Sequence, residues 1–261
     1  MGGATLFYWM AGVVGVAGIG VALWVWRKVA GLRLRHPGLE LAKCEQMPEP
    51  VRTLLAPAED KLRPFGFEPA FCIREKDSLS DEEWRWKRVC ANARERIYAT
   101  VAPTNHPAEK PGCEVTFATI YADGTLLLTV NGRRHLVLWD IPRAVVIDPY
   151  ADRLEDQYAA HRAEAIDSDT ISERVATSPA VYKSRLQLAY DTYIDVLAES
   201  AWIRKRRDGD YDIRLRPALR FARQIREGER RRTAARANAD LSARPHGVGA
   251  RRVEEPVERV V

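Results

Sequence analysis

The sequence predicts an α+β protein: an N-terminal single transmembrane helix, then a cytoplasmic domain with an antiparallel β-meander and a mostly helical, basic C-terminal half. Three observations lead to this prediction: an uncharged apolar run at residues 6–26, two hairpin-turn dipeptides between β-rich segments, and helical spacing of apolar residues after residue 148. We expect five parts: a transmembrane anchor (1–26), a basic juxtamembrane linker (27–50), an α+β domain (51–165), a helical basic region with a hairpin (166–238) and a disordered tail (239–261).

The apolar run at 6–26 is long enough for a membrane span, because a helix of about 20 residues crosses the hydrocarbon core. A cleaved signal peptide is the alternative, but its apolar core is shorter and a basic region precedes it. Basic residues follow the run directly, namely Arg27, Lys28, Arg33 and Arg35. The positive-inside rule then predicts an inner-membrane protein with its N-terminus outside and its C-terminal domain in the cytoplasm.

Small residues form one face of this predicted membrane helix. They are Ala11, Gly15, Gly18 and Ala22, at spacings of four, three and four. Such a face lets two helix backbones approach closely, which predicts a homo-oligomer formed through the helix. Because glycine and alanine are common in membrane helices, the alternative is that these residues have no specific partner.

The four cysteines, Cys44, Cys72, Cys90 and Cys113, have no paired spacing and no CxxC motif. This distribution predicts reduced thiols rather than a disulfide framework, in agreement with a cytoplasmic domain.

Apolar spacing predicts the elements of the first half. We expect a helix at 51–63, a strand at 68–74 and a strand at 96–101. Ser80 followed by Glu83 resembles a capping box, which predicts a short helix at 81–88.

The β-meander is predicted at 113–122, 125–130 and 133–139. Asp123-Gly124 and Asn131-Gly132 join these segments, and such dipeptides are preferred in two-residue type I′ turns. Turns of this length place Thr119 opposite Leu128, and Leu127 beside Leu136.

The second half is predicted to be mostly helical. Asp148-Pro149 and Ser178-Pro179 each match a helix start, with helices to about residue 165 and over about 20 residues after 178. A charged hairpin around Asp208-Gly209 follows, and Pro217 opens a last helix at 218–238.

The sequence indicates no metal site, cofactor or catalytic motif. The five histidines are scattered, and His161, on or beside the apolar stripe of its helix, is more simply a structural histidine than a ligand or base. No GxSxG, P-loop or GxGxxG motif is present. An enzyme with a dispersed site stays open, because catalytic groups can assemble from distant residues.

The segment 202–236 has 13 basic and 5 acidic residues, hence a net charge of +8. With the juxtamembrane residues it predicts a surface for anionic groups; the predicted set is Arg27, Lys28, Arg33, Arg35, Arg204, Lys205, Arg206, Arg207, Arg214 and Arg216. The expected partner is the lipid bilayer, through anionic headgroups, or an acidic protein. Nucleic acid is less favoured, and a solvated surface is the simplest alternative.

We therefore expect a membrane-tethered interaction or scaffold module without enzymatic activity. The first alternative is a membrane-anchored nucleic-acid-binding protein that uses 202–236, with salt-sensitive binding. The second is an enzyme with a dispersed active site, which predicts a deep pocket with convergent polar groups of perturbed pKa.

Overall fold

A seven-stranded sheet lies at the centre of the protein. The computed structural model describes Gly20, Trp24, Arg134 and residues 33–76, 84–104, 112–132 and 140–243. The strands in these ranges are β1 (Arg33–Leu34), β2 (Gly38–Ala42), β3 (Glu68–Lys76), β4 (Trp84–Asn92), β5 (Ile97–Pro103), β6 (Cys113–Ile120), β7 (Leu126–Thr129), β8 (Ala144–Ile147), β9 (Ile203–Lys205) and β10 (Tyr211–Ile213). The helices are α1 (Glu49–Leu62), α2 (Leu154–Asp169), α3 (Pro179–Glu199) and α4 (Leu215–Ala243), with short 3-10 helices at Cys44–Gln46 and Arg63–Phe65.

The large sheet has the order β2-β3-β4-β5-β6-β7-β8. Its neighbours are antiparallel except for β7 and β8, which are parallel. A second, three-stranded sheet has the order β1-β10-β9 and brings the start of the described chain beside the hairpin near its end.

Helices cover both faces of the large sheet, because alternate residues of its strands are apolar on each side. One face packs against α3 through a core that includes Phe71, Tyr98 and Tyr182. The other face packs against α1 and α2 through a core that includes Phe117 and Tyr158. The fold is therefore α+β, in three layers.

The predicted transmembrane helix is corrected. No helix in the described part of the chain is both long and apolar enough to cross a membrane. Within 6–26 the structure describes Gly20 and Trp24, and the remainder of that range lies outside the described residues. The same finding contradicts the predicted inner-membrane location.

Several predicted elements are confirmed. They are the helix at 51–63, seen as α1, the strands at 68–74 and 96–101, seen as β3 and β5, the helix after Ser178, seen as α3, and the hairpin around Asp208-Gly209, seen as β9 and β10. The last helix begins at Leu215, earlier than predicted. Strand β2 lies inside the range predicted as a linker.

The predicted helix at 81–88 is wrong, because β4 begins at Trp84. Side chains of β4 alternate between the two faces of the sheet, but charged residues occur on both faces and mask this alternation in the sequence. The two tryptophans of β4 contact Arg74 of β3. Its guanidinium lies 5.3 Å from the ring of Trp84 and 5.7 Å from that of Trp86.

The pairing of β6 with β7 is confirmed, but its register differs by one residue from the prediction. Thr119 pairs with Leu127, and Ala118 pairs with Leu128. The cause is the turn: Tyr121 N–H donates to Thr125 O, and within the turn Gly124, not Asp123, has a positive φ. This is a three-residue loop with a bulge rather than a two-residue type I′ turn.

The third strand of the predicted meander is wrong in position and direction. The neighbour of β7 is β8, which runs parallel to it and places Val145 beside Leu127. Of the predicted segment 133–139 the structure describes Arg134.

The expectation of four reduced thiols is also wrong. Cys44 and Cys72 form a disulfide, whereas Cys90 and Cys113 are free. The pairing has no local sequence signal, because the two residues are 28 positions apart.

Candidate anionic-partner interface

The small sheet is held by an apolar core on one side. Leu34, Ile203 and Ile213 pack with Trp202 and with Ile194 of α3. Because side chains alternate along a strand, the intervening residues of β9 and β10 face away from this core. Arg204 of β9 and Asp212 of β10, which pair in the register, therefore lie on the outward side, and the same alternation places Arg206 there.

Asp212 lies at the centre of this outward side. Its carboxylate accepts a hydrogen bond from Arg206 at 2.9 Å and lies 3.6 Å from the guanidinium of Arg204. Arg206 also binds Asp208. The hydrogen bond from Arg206, with a smaller contribution from Arg204, lowers the pKa of Asp212. The two arginines are thus ordered by one carboxylate, and Lys205 and Arg207 beside them are exposed.

Strand β1 and the residues that follow it lie beside the hairpin. Arg33 pairs with Asp212 in the backbone register, and Arg35 forms an ion pair with Asp210 at 3.0 Å. His36 Nδ1 lies 2.9 Å from the Asp191 carboxylate. The structure therefore brings together two basic segments that are about 170 residues apart in sequence. Arg27 and Lys28 lie outside the described residues.

Helix α4 continues the basic surface. Exposed arginines follow one another at spacings of three and four, which places them on one face of the helix: Arg216, Arg220, Arg223, Arg226 and Arg230. The guanidinium of Arg220 lies 5.6 Å from the ring of Trp202 and so joins the helix to the hairpin. We call the exposed set the basic surface; it comprises Arg204, Lys205, Arg206, Arg207, Arg214, Arg216, Arg220, Arg223, Arg226 and Arg230.

An open cleft of about 920 Å³ lies between the β4–β5 turn and the end of α2. Its charged groups bind one another: Arg174 donates to both oxygens of Asp169, Arg162 pairs with Glu95, and Arg96 pairs with Glu173. The hydrogen bonds to Asp169 raise the pKa of Arg174. The charged side chains that line this open cleft are therefore held in ion pairs with one another, as expected for structural residues.

His161, which the sequence singles out, is completely buried. Thr119 Oγ1 lies 2.9 Å from Nε2, and Thr129 Oγ1 lies 2.7 Å from Nδ1. Burial lowers the pKa of His161 to about 3. The ring is thus neutral and bound on both sides, as expected for a structural residue.

The structure does not test the predicted helix–helix residues. Ala11, Gly15, Gly18 and Ala22 lie outside the described residues, so the predicted helix–helix association stays a prediction. Within the described ranges no group of three histidine, cysteine or acidic residues is arranged to hold a metal ion.

Sequence reasoning missed the contacts that assemble the interface. The stacking of Arg220 on Trp202 and the pairing of β1 with β10 join residues without a recognisable local spacing. The repeated arginine spacing after Pro217 is the available sequence signal for this interface. It predicts that the arginines share one face of a helix, but not which other elements lie beside that face.

Comparison of the chain with protein-family models, with curated proteins and with solved structures gives no match.

Proposed function

We propose that the protein is a non-enzymatic interaction module whose basic surface binds an acidic protein partner. The observation that carries the proposal is the contact of Arg220 with Trp202, because it places the start of α4, with its exposed arginines, beside the basic hairpin. The arginine face from Arg216 to Arg230 extends over about 21 Å, at about 1.5 Å per residue. Arginine suits this role because its planar guanidinium binds carboxylates through two hydrogen bonds.

The mixture of charges on the hairpin favours a protein as the partner. Asp208 and Asp212 lie among the hairpin arginines and order them, as the pair Arg206–Asp212 illustrates. A nucleic-acid backbone would be repelled by these carboxylates at close range, whereas a protein surface can offer both signs of charge.

Nucleic acid is the second candidate, favoured by one observation. No acidic residue occurs in α4 between Arg216 and Arg226, so this part of the helix presents only positive charge. Such a face can neutralise phosphates without regard to sequence.

The proposal is tested by fluorescence anisotropy with the full chain and three probes: a labelled glutamate-rich peptide, a labelled DNA duplex of equal charge, and vesicles that contain anionic lipid. We expect the peptide to bind most tightly, with an affinity that falls as salt rises. Tighter binding of the duplex or the vesicles at the same salt would replace the acidic protein by that partner. Binding of none would refute the proposal.

A variant pair separates the location of charge from its amount. Replacing Arg216, Arg223 and Arg226 together by Gln should weaken peptide binding at least about tenfold, because each exposed charge contributes about 0.5 kcal/mol. The control replaces three exposed arginines elsewhere, Arg63, Arg94 and Arg153, by Gln. It loses the same net charge and should bind as the wild type does. Equal weakening by both variants would contradict a localised interface.

A further inference from the structure

The disulfide Cys44–Cys72 joins an edge strand to the interior of the large sheet. Strand β2 is the outermost strand next to β3, and its last residue, Ala42, pairs with Cys72. Cys44 begins the 3-10 helix directly after β2, with its Cα 5.3 Å from that of Cys72. This separation lies within the range that a disulfide requires without movement of the backbone.

The disulfide lies against an apolar core, with Cys72 buried and Cys44 half-buried. Cys72 is completely buried and packs with Met47, Leu55 and Cys90 beneath α1. A reductant in solution therefore reaches Cys72 only when β2 or α1 moves away. The Cys72 sulfur is therefore protected from thiol–disulfide exchange in the folded protein.

The two remaining thiols do not compete for this pairing. Cys90 is buried on β4, and its burial raises the pKa of its thiol to about 12. The Cys113 thiol donates a hydrogen bond to Leu54 O at 3.0 Å, and burial raises its pKa as well. Because the thiolate is the attacking species in disulfide exchange, burial disfavours attack by either group on Cys44–Cys72 in the folded protein.

We infer that the described domain matures in an oxidising compartment, where a partner of the thiol–disulfide oxidant class oxidises Cys44 and Cys72. The two thiols lose two protons and two electrons as the S–S bond forms, and the oxidant's own disulfide is reduced to two thiols. Disulfides form and persist in such compartments and are rare where glutathione and thioredoxin keep thiols reduced. The inference is independent of what the basic surface binds.

The test counts free thiols in the full chain within cells that produce it naturally. Cells are quenched with acid, the protein is denatured, and free thiols are labelled with a maleimide carrying a polymer, so that each label shifts the band on a gel. We expect two labels before reduction and four after it. Mass spectrometry of the unreduced digest should contain a peptide with Cys44 bonded to one with Cys72. Four labels before reduction would overturn the inference.

Two variants keep the result interpretable. Cys44→Ala should have three free thiols, because Cys72 loses its partner. The double variant Cys90→Ala and Cys113→Ala should have none before reduction and two after it. If Cys44→Ala still has a disulfide between other cysteines, or if the double variant has two free thiols in its native compartment, the inferred oxidation of this pair is wrong.

Discussion

His161 illustrates, at the scale of single residues, how burial sets a dependence of stability on pH. The folded-state pKa is about 3, whereas a histidine in an unfolded chain has a pKa of about 6.5. As pH falls, the unfolded state binds the proton first. The stability that this residue contributes is therefore present above about pH 6.5 and is lost as pH falls toward 3.

We expect this histidine to account for a loss of about 2 kcal/mol in the free energy of unfolding between pH 7 and pH 5. Urea unfolding at the two pH values measures the loss. His161→Gln keeps groups that can bind Thr119 and Thr129 but does not titrate, so its stability should change by about 2 kcal/mol less over the same interval. Equal changes in the two proteins would contradict the assignment.

Two turn glycines give a second prediction at this scale. Gly124 and Gly209 have φ values of +88° and +92°, which valine resists. A Cβ at Gly124 would also lie 2.9 Å from Nη1 of Arg185, whereas nothing lies within 4 Å at Gly209. We expect Gly209→Val to lower the free energy of unfolding by about 1 to 2 kcal/mol and Gly124→Val to lower it somewhat more. Chemical denaturation measures both losses. A larger loss for Gly209→Val would contradict the expected steric contact between the new side chain at position 124 and Arg185.

At the scale of elements, Asp148 has a different role from the one predicted. The sequence Asp148-Pro149 matches a helix start, but α2 begins at Leu154. The carboxylate instead accepts hydrogen bonds from the backbone N–H groups of Gly132, Arg134 and Tyr150. It thus fixes the end of the β7 connection to the segment that leads into α2.

Asp148→Ala should therefore destabilise the protein by about 2 kcal/mol or more, because it leaves three backbone donors without their charged acceptor. Asp152→Ala is the matched control: Asp152 is exposed, and its loss should change stability by less than about 0.5 kcal/mol. Thermal unfolding of both variants measures the difference. Similar melting temperatures would mean that the Asp148 bonds contribute little.

The elements that the sequence predicts correctly are those whose signals are local. Helix α3 has Ser178-Pro179 at its start and buries Tyr182, Leu186 and Leu197 at helical spacing. Strand β4 lacks such a signal, because its pattern is mixed by side chains such as Lys87, which pairs with Glu75 across the sheet at 2.6 Å. The register of β6 and β7 is set locally, but the Asp-Gly dipeptide does not fix the turn length, and one extra turn residue shifts every pair of the two strands.

At the scale of the whole molecule, the sequence predicts the basic segments but not their assembly. Pairing of β1 with β10 depends on a core that Leu34 shares with Trp202 and Ile194, and no short-range pattern encodes that contact. The parallel pairing of β8 with β7 has no short-range pattern either, because a longer connection and not a tight turn joins the two strands. Composition therefore predicts the basic segments, whereas their proximity depends on tertiary packing.

The disulfide should stabilise the whole fold by constraining the unfolded chain. It closes a loop of 28 residues, for which loop-closure entropy gives about 3 to 4 kcal/mol. We expect Cys44→Ala to lower the melting temperature of the oxidised protein by about 10 °C. Cys113→Ala, which removes one hydrogen bond to Leu54 and no cross-link, should lower it much less.

Reductant distinguishes the cross-link from the packing of the sulfur atoms. Unfolding in the presence of a strong dithiol should lower the melting temperature of the wild type toward that of Cys44→Ala, because the buried bond becomes accessible as the protein opens. The same reductant should leave Cys44→Ala unchanged, since it has no bond to lose. If the wild type and Cys44→Ala melt at the same temperature without reductant, the cross-link adds nothing to the sheet edge. Edge strand β2 would then be held by its pairing with β3 and by the hydrogen bond from Leu39 N–H to Gln187 of α3.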